Sequence, residues 1–312
     1  MNTYIGNSSD SDIRQRATSG GVGSSLIKYL FEQNVIGTSI SFVFNKSTLQ
    51  YTPKLIYSFD EYQMCGSIYQ EIDLVNYIRE NVDKVKGGFA CFSLPCQTKA
   101  IRSVITKAGH ECVIIGLTCS SQQTIEATNY LLKRLNIKKE LVEHIQYRGN
   151  GWPSGVQIQL NDGTSKFVPN SGSIWNQIFH SRLFIRKKCF KCKLTLNPDS
   201  DITLADPWLP EYVKTEKIGR TLVIANTERG QSLMMEAKSV GYIEAKQFDR
   251  ELIIKSQEST ILRKEGYLKN GKLTEHFYNT INNSVVRNIV LSNHFFNYYL
   301  KVKDKFERII RN

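Results

Sequence analysis

The chain has 312 residues, 41% of them hydrophobic and 22% charged, with a formal net charge of +12. This balance excludes a disordered chain and allows one large domain, or two joined ones, with a sizeable core. No run nears the roughly 20 apolar residues of a membrane-spanning helix, and the polar start, Met1 to Asp10, lacks the apolar stretch of a secretory signal.

A cytoplasmic protein is therefore expected, and its seven cysteines are read as thiols, metal ligands or catalytic groups rather than disulfides. The positive excess asks for an anionic partner. It is spread along the chain, with richer patches at Arg186, Lys187 and Lys188 and in the last third. No nucleic-acid reading motif accompanies it, so nucleic acid is not an expected partner.

In chain order, apolar spacing predicts a helix over Ser19–Gln33, with Leu26, Ile27, Leu30 and Phe31 on one face. Thr38–Phe44 and Tyr51–Phe59 read as neighbouring antiparallel strands, and Asp73–Val82 as a short amphipathic helix. Gly88–Leu94 and Cys112–Leu117 are apolar runs of buried-strand length. Each precedes a helical stretch, Gln97–Ala108 and Thr124–Leu135, and this alternation predicts a piece of parallel sheet. Val156–Leu160 and Lys166–Val168 flank Asn161-Asp162-Gly163-Thr164, a hairpin signal. Ser173–Phe184 reads as a helix, Ile202–Leu204 and Thr221–Asn226 as strands. Glu228–Val240 reads as a helix stopped by Gly241, and the chain beyond about Arg250 as basic and helical. The fold class expected is mixed α/β: a partly parallel sheet with flanking helices, an inserted hairpin region and a helical C-terminal part.

Four cysteines stand out by context. Cys96 and Cys119 each follow a buried strand and precede a helix, so both emerge at the same C-terminal sheet edge, where open α/β sheets collect ligands. Cys189 and Cys192 form a Cys-x-x-Cys among Arg186, Lys187, Lys188, Lys191 and Lys193. Alone, that pair fits half a zinc site, half a cluster site or a redox dithiol. The dithiol reading needs the pair on a helix led by a strand, whereas here it follows a helix. With the two sheet-edge cysteines, the set suits four thiolates around zinc or an iron–sulfur cluster. Buried thiols serving as small hydrophobes are the plain alternative, and it is the reading given to Cys91 and Cys112. Cys65 has no pairing. His110, His144 and His180 show no metal-ligand spacing and are read as surface or structural.

Arg16-Ala17-Thr18-Ser19-Gly20-Gly21 opens the first helix. Thr18 or Ser19 is placed to cap it, and the glycines admit a ligand close to the backbone. A helix start of this kind suits a pyrophosphate, although the segment is neither a dinucleotide-binding fingerprint nor a Walker loop.

These pieces occur in a specific order. Asp12-Ile13-Arg14 and Ala17 to Gly21 are followed by Gly66-Ser67-Ile68-Tyr69, Leu94-Pro95-Cys96-Gln97 and Ile115-Gly116-Leu117-Thr118-Cys119. Then come Tyr147-Arg148-Gly149, Gly151-Trp152-Pro153, Cys189-x-x-Cys192 and Ala205-Asp206-x-Trp208. Over roughly residues 10 to 240 the set resembles the coenzyme F420 hydrogenase/dehydrogenase beta-subunit family, including members found in polysaccharide biosynthesis gene clusters. The resemblance implies FAD and one [4Fe–4S] cluster in a redox domain over residues 1–250, with residues 251–312 as a basic helical extension. It implies cofactor contacts at Thr18, Ser19, Gly20, Gly21, Ser67, Tyr69, Pro95 and Gln97. The cluster ligands it implies are Cys96, Cys119, Cys189 and Cys192. Tyr69, Arg148 and Asp206 are candidate catalytic residues because they lie inside matching motifs.

Two departures bear on function. Ile68 stands where members often carry lysine, and Ala205 where they often carry glycine. With at most one cluster in the chain, electrons come from an external donor: ferredoxin, or reduced deazaflavin or nicotinamide. The substrate implied is deazaflavin or a nucleotide- or lipid-linked sugar, and the departure at Ile68 with the lack of extra clusters favours the sugar over the hydrogenase-partner role. The basic aromatic stretch from Ser284 to Asn312 reads as a packed helix with a solvated face, or as a surface that rests on a partner protein or on anionic lipid at the inner face of the membrane. The competing function is a non-redox accessory protein with zinc or free thiols at the cysteine site.

Overall fold

A computed structural model describes residues 2–311, the side chain of Asn293 excepted. Its centre is an eight-stranded sheet. The strands are β1 (Asn2–Ser8), β2 (Thr38–Asn45), β3 (Gln50–Ile56), β4 (Phe89–Ser93), β5 (Cys112–Leu117), β9 (Ile202–Ala205), β10 (Thr221–Ala225) and β11 (Ile243–Gln247). Their spatial order is β11-β1-β10-β9-β5-β4-β2-β3. Strands β2, β4, β5 and β9 run parallel, and the outer four join antiparallel.

The two apolar runs are continuous because their strands are covered on both faces. Phe89, Cys91, Cys112 and Ile114 point to one side, against Ile101 and Ile105 of α4 (Thr98–Lys107) and Leu74 and Ile78 of α3 (Leu74–Asn81). Ala90, Val113 and Ile115 point to the other, against Leu26, Ile27 and Leu30 of α2 (Val22–Glu32) and Leu233 and Met234 of α8 (Glu228–Ser239). Cys91 and Cys112 thus serve as small core hydrophobes, as their setting predicts.

The hairpin is present. Strands β7 (Gly155–Leu160) and β8 (Ser165–Pro169) turn through residues 161–164, and β6 (Val142–Gln146) adds a third antiparallel strand. This small sheet buries Ile145, Val156 and Ile158 against α5 (Ile125–Arg134) and α6 (Ile174–Ser181). The C-terminal part is helical: α9 (Arg250–Lys269), α10 (Gly271–Ile281), α11 (Ser284–Val290) and α12 (Asn293–Arg311). No helix among the described residues is long and apolar enough to cross a membrane.

Three features differ from the sequence reading. The polar start is strand β1, inserted between β10 and β11 and followed by α1 (Ser11–Arg16). Helix α2 begins at Val22 rather than Ser19, because Gly20 and Gly21 both take left-handed backbone, at φ 74° and 79°. Gly21 is then the cap, so neither Thr18 nor Ser19 caps the helix. Helix α6 stops at Ser181, where Arg182 turns left-handed at φ 63°.

Candidate functional site at the C-terminal sheet edge

The parallel strands deliver their following loops to one edge. β4 hands over to Leu94–Gln97, β5 to Thr118–Gln122 and β9 to Asp206, while the turn before α2 meets the same edge through Ser8 N–H donating to the Gly20 carbonyl (2.6 Å). Between these loops lies a cleft of about 300 Å³. Thr18, Ser19, Gly21, Ser67, Tyr69, Gln97, Cys119 and Asp206 line it. Gly20 and Pro95 are buried in the loops behind.

The glycine pair is required by chain packing. A Cβ on Gly20 would lie 2.8 Å from the Arg220 Cα, and one on Gly21 would lie 3.0 Å from the Ile13 Cγ2. The ligand-facing part of this segment is the next turn, where Gly21, Gly23 and Ser24 face the cleft. Gly21 has no side chain to cap the helix, so this uncapped start presents backbone N–H groups and partial positive charge.

The three candidate catalytic residues meet. Arg148, 2% exposed, holds Asp206 through two bonds, Nη1 to Oδ2 at 2.7 Å and Nη2 to Oδ1 at 3.1 Å. It also donates to Tyr69 Oη (3.4 Å), the Thr18 carbonyl (3.3 Å) and the Pro153 carbonyl (3.3 Å), and Trp152 Nε1 donates to Asp206 Oδ1 (3.2 Å). Burial pushes the Asp206 carboxyl up, but the Arg148 charge and the hydrogen bonds from Arg148 and Trp152 outweigh it, leaving the group below its ordinary range. A carboxylate held this way stays ionised and neutralised at neutral pH. The pair is a brace across three loops, unsuited to proton transfer.

Other predicted residues also fix loops. Gln97 Oε1 accepts from Leu94 N–H (3.2 Å), and its Nε2 donates to the Ile72 carbonyl (3.2 Å), shaping the turn that carries Cys96. Ser67 Oγ donates to Thr18 Oγ1 (3.2 Å). Ile68 lies in the apolar part of the cleft wall with Phe42, Met64 and Phe92, and Cys65 joins it as a neutral thiol, pushed by burial up to about 12.

Of the four singled-out cysteines, Cys119 lines this cleft. Cys119 lies within electrostatic reach of Cys96, Cys189 and Cys192. Burial pushes its thiol up to about 12 despite the opposing charge of Lys264, and the other three thiols add to the rise. Burial likewise raises Cys189. Between Cys189 and Cys192, Phe190 packs against Tyr278 of α10 (centroids 4.1 Å) and Tyr267 of α9 (5.6 Å), pinning the Cys-x-x-Cys turn to the C-terminal helices. Among the described residues, no three His, Cys, Asp or Glu side chains close on a single-ion site.

Two further features escaped the sequence reading. Ser121 Oγ, Gln122 Oε1, both amide atoms of Gln123 and Thr124 Oγ1 are buried with no hydrogen-bond partner among the described residues, and Ser121 and Gln122 line the cleft. Each such orphan costs about 1–3 kcal/mol unless another group satisfies it. The second is Lys264 of α9, whose ammonium lies under the cysteines, where no spacing rule could place it.

Residues 3–79 match the family model for the N-terminal part, and residues 88–251 the model for the C terminus, of the coenzyme F420 hydrogenase/dehydrogenase beta subunit. Among solved structures the chain is similar to one from the F420-reducing [NiFe] hydrogenase complex of Methanosarcina barkeri. The two share 16% identity at a TM-score of 0.63, with 84% of this chain and 88% of that chain covered. That likeness shows the shared fold.

Proposed function

Taking as premise that the chain belongs to the coenzyme F420 hydrogenase/dehydrogenase beta-subunit family, an iron–sulfur oxidoreductase-type family, we propose that it is a flavin-dependent iron–sulfur oxidoreductase. In this reading FAD occupies the cleft, and Cys96, Cys119, Cys189 and Cys192 hold one [4Fe–4S] cluster. One observation carries the proposal: Cys119 both lines the cleft and lies within electrostatic reach of the other three thiols, which supports two adjoining sites.

The residues present fit both groups. The uncapped start of α2 at Gly21, Gly23 and Ser24 suits a pyrophosphate. The apolar wall of Phe42, Ile68 and Phe92 suits a flat ring system, and the orphaned polar atoms of Ser121 and Gln122 await a polar partner there. Four cysteines are a full ligand set for one cluster. When bound, the flavin supplies two-electron acceptance with one-electron release, and the cluster supplies one-electron transfer.

The chain's own side chains do the remaining work. Arg148 and Asp206 brace the loops around the cleft without adding net charge. Gln97 sets the Cys96 turn, and the apolar wall excludes water from the ring site.

On the partner side we propose an external donor, ferredoxin or reduced deazaflavin or nicotinamide. For the substrate we propose a nucleotide- or lipid-linked sugar in surface polysaccharide assembly, in keeping with an apolar Ile68 where a cation is frequent. Helix α12 supports a peripheral lipid contact. Phe295, Tyr298, Val302 and Ile309 form an exposed stripe beside Lys301, Lys305 and Arg308, and such a helix lies flat on an anionic surface. Co-sedimentation with vesicles of anionic but not neutral lipid supports this contact, and equal recovery with both rejects it.

The deciding experiment is anaerobic purification, with the visible spectrum, iron and zinc recorded on one sample. Flavin bands near roughly 370 and 450 nm over a broad shoulder near 400 nm, with about four irons per chain, are expected. A colourless protein carrying one zinc, or no metal after reconstitution, rejects the redox reading in favour of an accessory role.

A further inference from the structure

Lys264 sits on α9, in the C-terminal part that the sequence presents as a basic surface, yet it is only 2% exposed. Its ammonium donates to the Cys119 carbonyl (2.8 Å) and the Leu194 carbonyl (2.5 Å) and lies 4.0 Å from Cys192 Sγ. These partners are two carbonyls and a sulfur, with no carboxylate among them. Burying an ammonium without a counter-charge is expensive, and such groups persist where something anionic compensates them. What faces Lys264 here is the cysteine set.

The side chain also joins the two halves of that set. Cys119 follows β5, and Leu194 lies two residues beyond Cys192, on a separate loop. One buried cation therefore spans two of the three ligand-bearing segments. On the preceding residue, Arg263 Nη2 donates to Ser120 Oγ (2.7 Å), one position past Cys119, so α9 grips this loop twice.

We propose that Lys264 is a positioning residue of the four-cysteine site, whose fixed buried charge balances a bound anionic four-thiolate centre and favours its reduced state. The inference rests on the cluster reading above. A cluster held by four thiolates carries net negative charge that grows by one on reduction. A cation fixed beside two of the ligands therefore stabilises the reduced form more than the oxidised form and raises the reduction potential. Because Lys264 is held by main-chain carbonyls of two ligand loops, its charge cannot swing away.

The test compares the wild type with Lys264→Arg and Lys264→Gln, all purified and reconstituted without oxygen. Folding is checked by far-ultraviolet circular dichroism, iron per chain is measured, and the midpoint potential is taken from a titration followed by electron paramagnetic resonance. Lys264→Gln is expected to shift the oxidised-to-reduced ratio at fixed potential about tenfold toward oxidised, which is 59 mV for a one-electron couple. Lys264→Arg, which keeps the charge, should stay within about threefold of wild type. A folded Lys264→Gln that loses its iron while Lys264→Arg keeps it supports the proposal as well. An iron-loaded Lys264→Gln with wild-type midpoint overturns it, as does an equal shift or equal iron loss in both variants, because charge is then not what matters. A wild type that binds no iron instead rejects the cluster reading itself.

Discussion

Arg148 and Asp206, 58 residues apart in sequence, meet in a two-point ion pair from which Arg148 also reaches Tyr69, Thr18 and Pro153. One guanidinium thus holds together the glycine turn, the Ser67–Tyr69 segment, the loop after β6 and the end of β9. Its loss should be felt as loosened architecture before it is felt as altered chemistry.

Asp206→Asn is expected to destabilise the protein by about 3–5 kcal/mol, because it leaves a buried guanidinium without its anion. The pH dependence has a definite sign. The folded-state pKa of Asp206 lies below its ordinary value, so its contribution is complete above the unfolded value of about 3.9 and is lost as pH falls through the folded one. Denaturant melts of wild type and variant should differ constantly between pH 5 and 8 and converge in strong acid. A difference that shrinks instead as pH rises from 5 to 8 rejects the assignment.

The thiols should react in a fixed order. In metal-free protein at pH 8, iodoacetamide should label the exposed Cys96 first and the fully buried Cys91 last. Cys65 and Cys119, pushed up to about 12, stay protonated and slow; the thiolate is the reacting species. Iron loading should then protect Cys96 despite its exposure. Mass spectrometry that finds Cys96 equally labelled before and after loading removes it from the ligand set.

A carboxylate at the first turn of α2 separates cofactor binding from stability. Ser24→Asp puts negative charge where a helix start welcomes it, worth about 0.3–1 kcal/mol, and where a pyrophosphate does not. Flavin retention is expected to fall at least about tenfold, with the flavin-free melting temperature little changed. Retained flavin argues that the phosphates lie elsewhere in the cleft.

Gly66 and Ser67 should respond very differently. A Cβ on Gly66 would lie 1.8 Å from the Arg148 carbonyl, in a backbone at φ 67°. Gly66→Ala should therefore cost upwards of about 1–3 kcal/mol from conformation alone and displace Arg148. Ser67→Ala removes one hydrogen bond to Thr18 and should cost about 1 kcal/mol. Calorimetry on the pair checks the ranking, and equal costs reject it.

The sequence reveals those parts of the site that depend on local pattern. Continuous apolar runs that lead to Cys96 and Cys119 imply parallel strands and hence a common edge, and the register of Phe89 with Cys112 bears this out. The Asp162-Gly163 turn is equally local. Strand β1 is not, because Asn2, Thr3, Asn7 and Ser8 outnumber its apolar residues and only neighbours from residues 221–247 make it a strand. Lys264 is hidden for another reason. Helix α9 buries Ser256, Gln257, Arg263 and Lys264 alongside Ile253 and Tyr267, so its inward face leaves no apolar periodicity to follow.

The place of β1 also sets a timetable. Strand β1 is paired on both sides by strands that leave the ribosome more than two hundred residues after it. At about 5–20 residues per second, Tyr4 and Ile5 wait roughly 10 to 45 s for Leu222 to Ile224. Until then the glycine turn has no Arg220 backbone to lean on, and the edge that gathers the cysteines lacks β9 and β10. The nascent chain thus has no finished pocket to offer until the strands after residue 200 have emerged, and a ligand of the cleft has to wait for them.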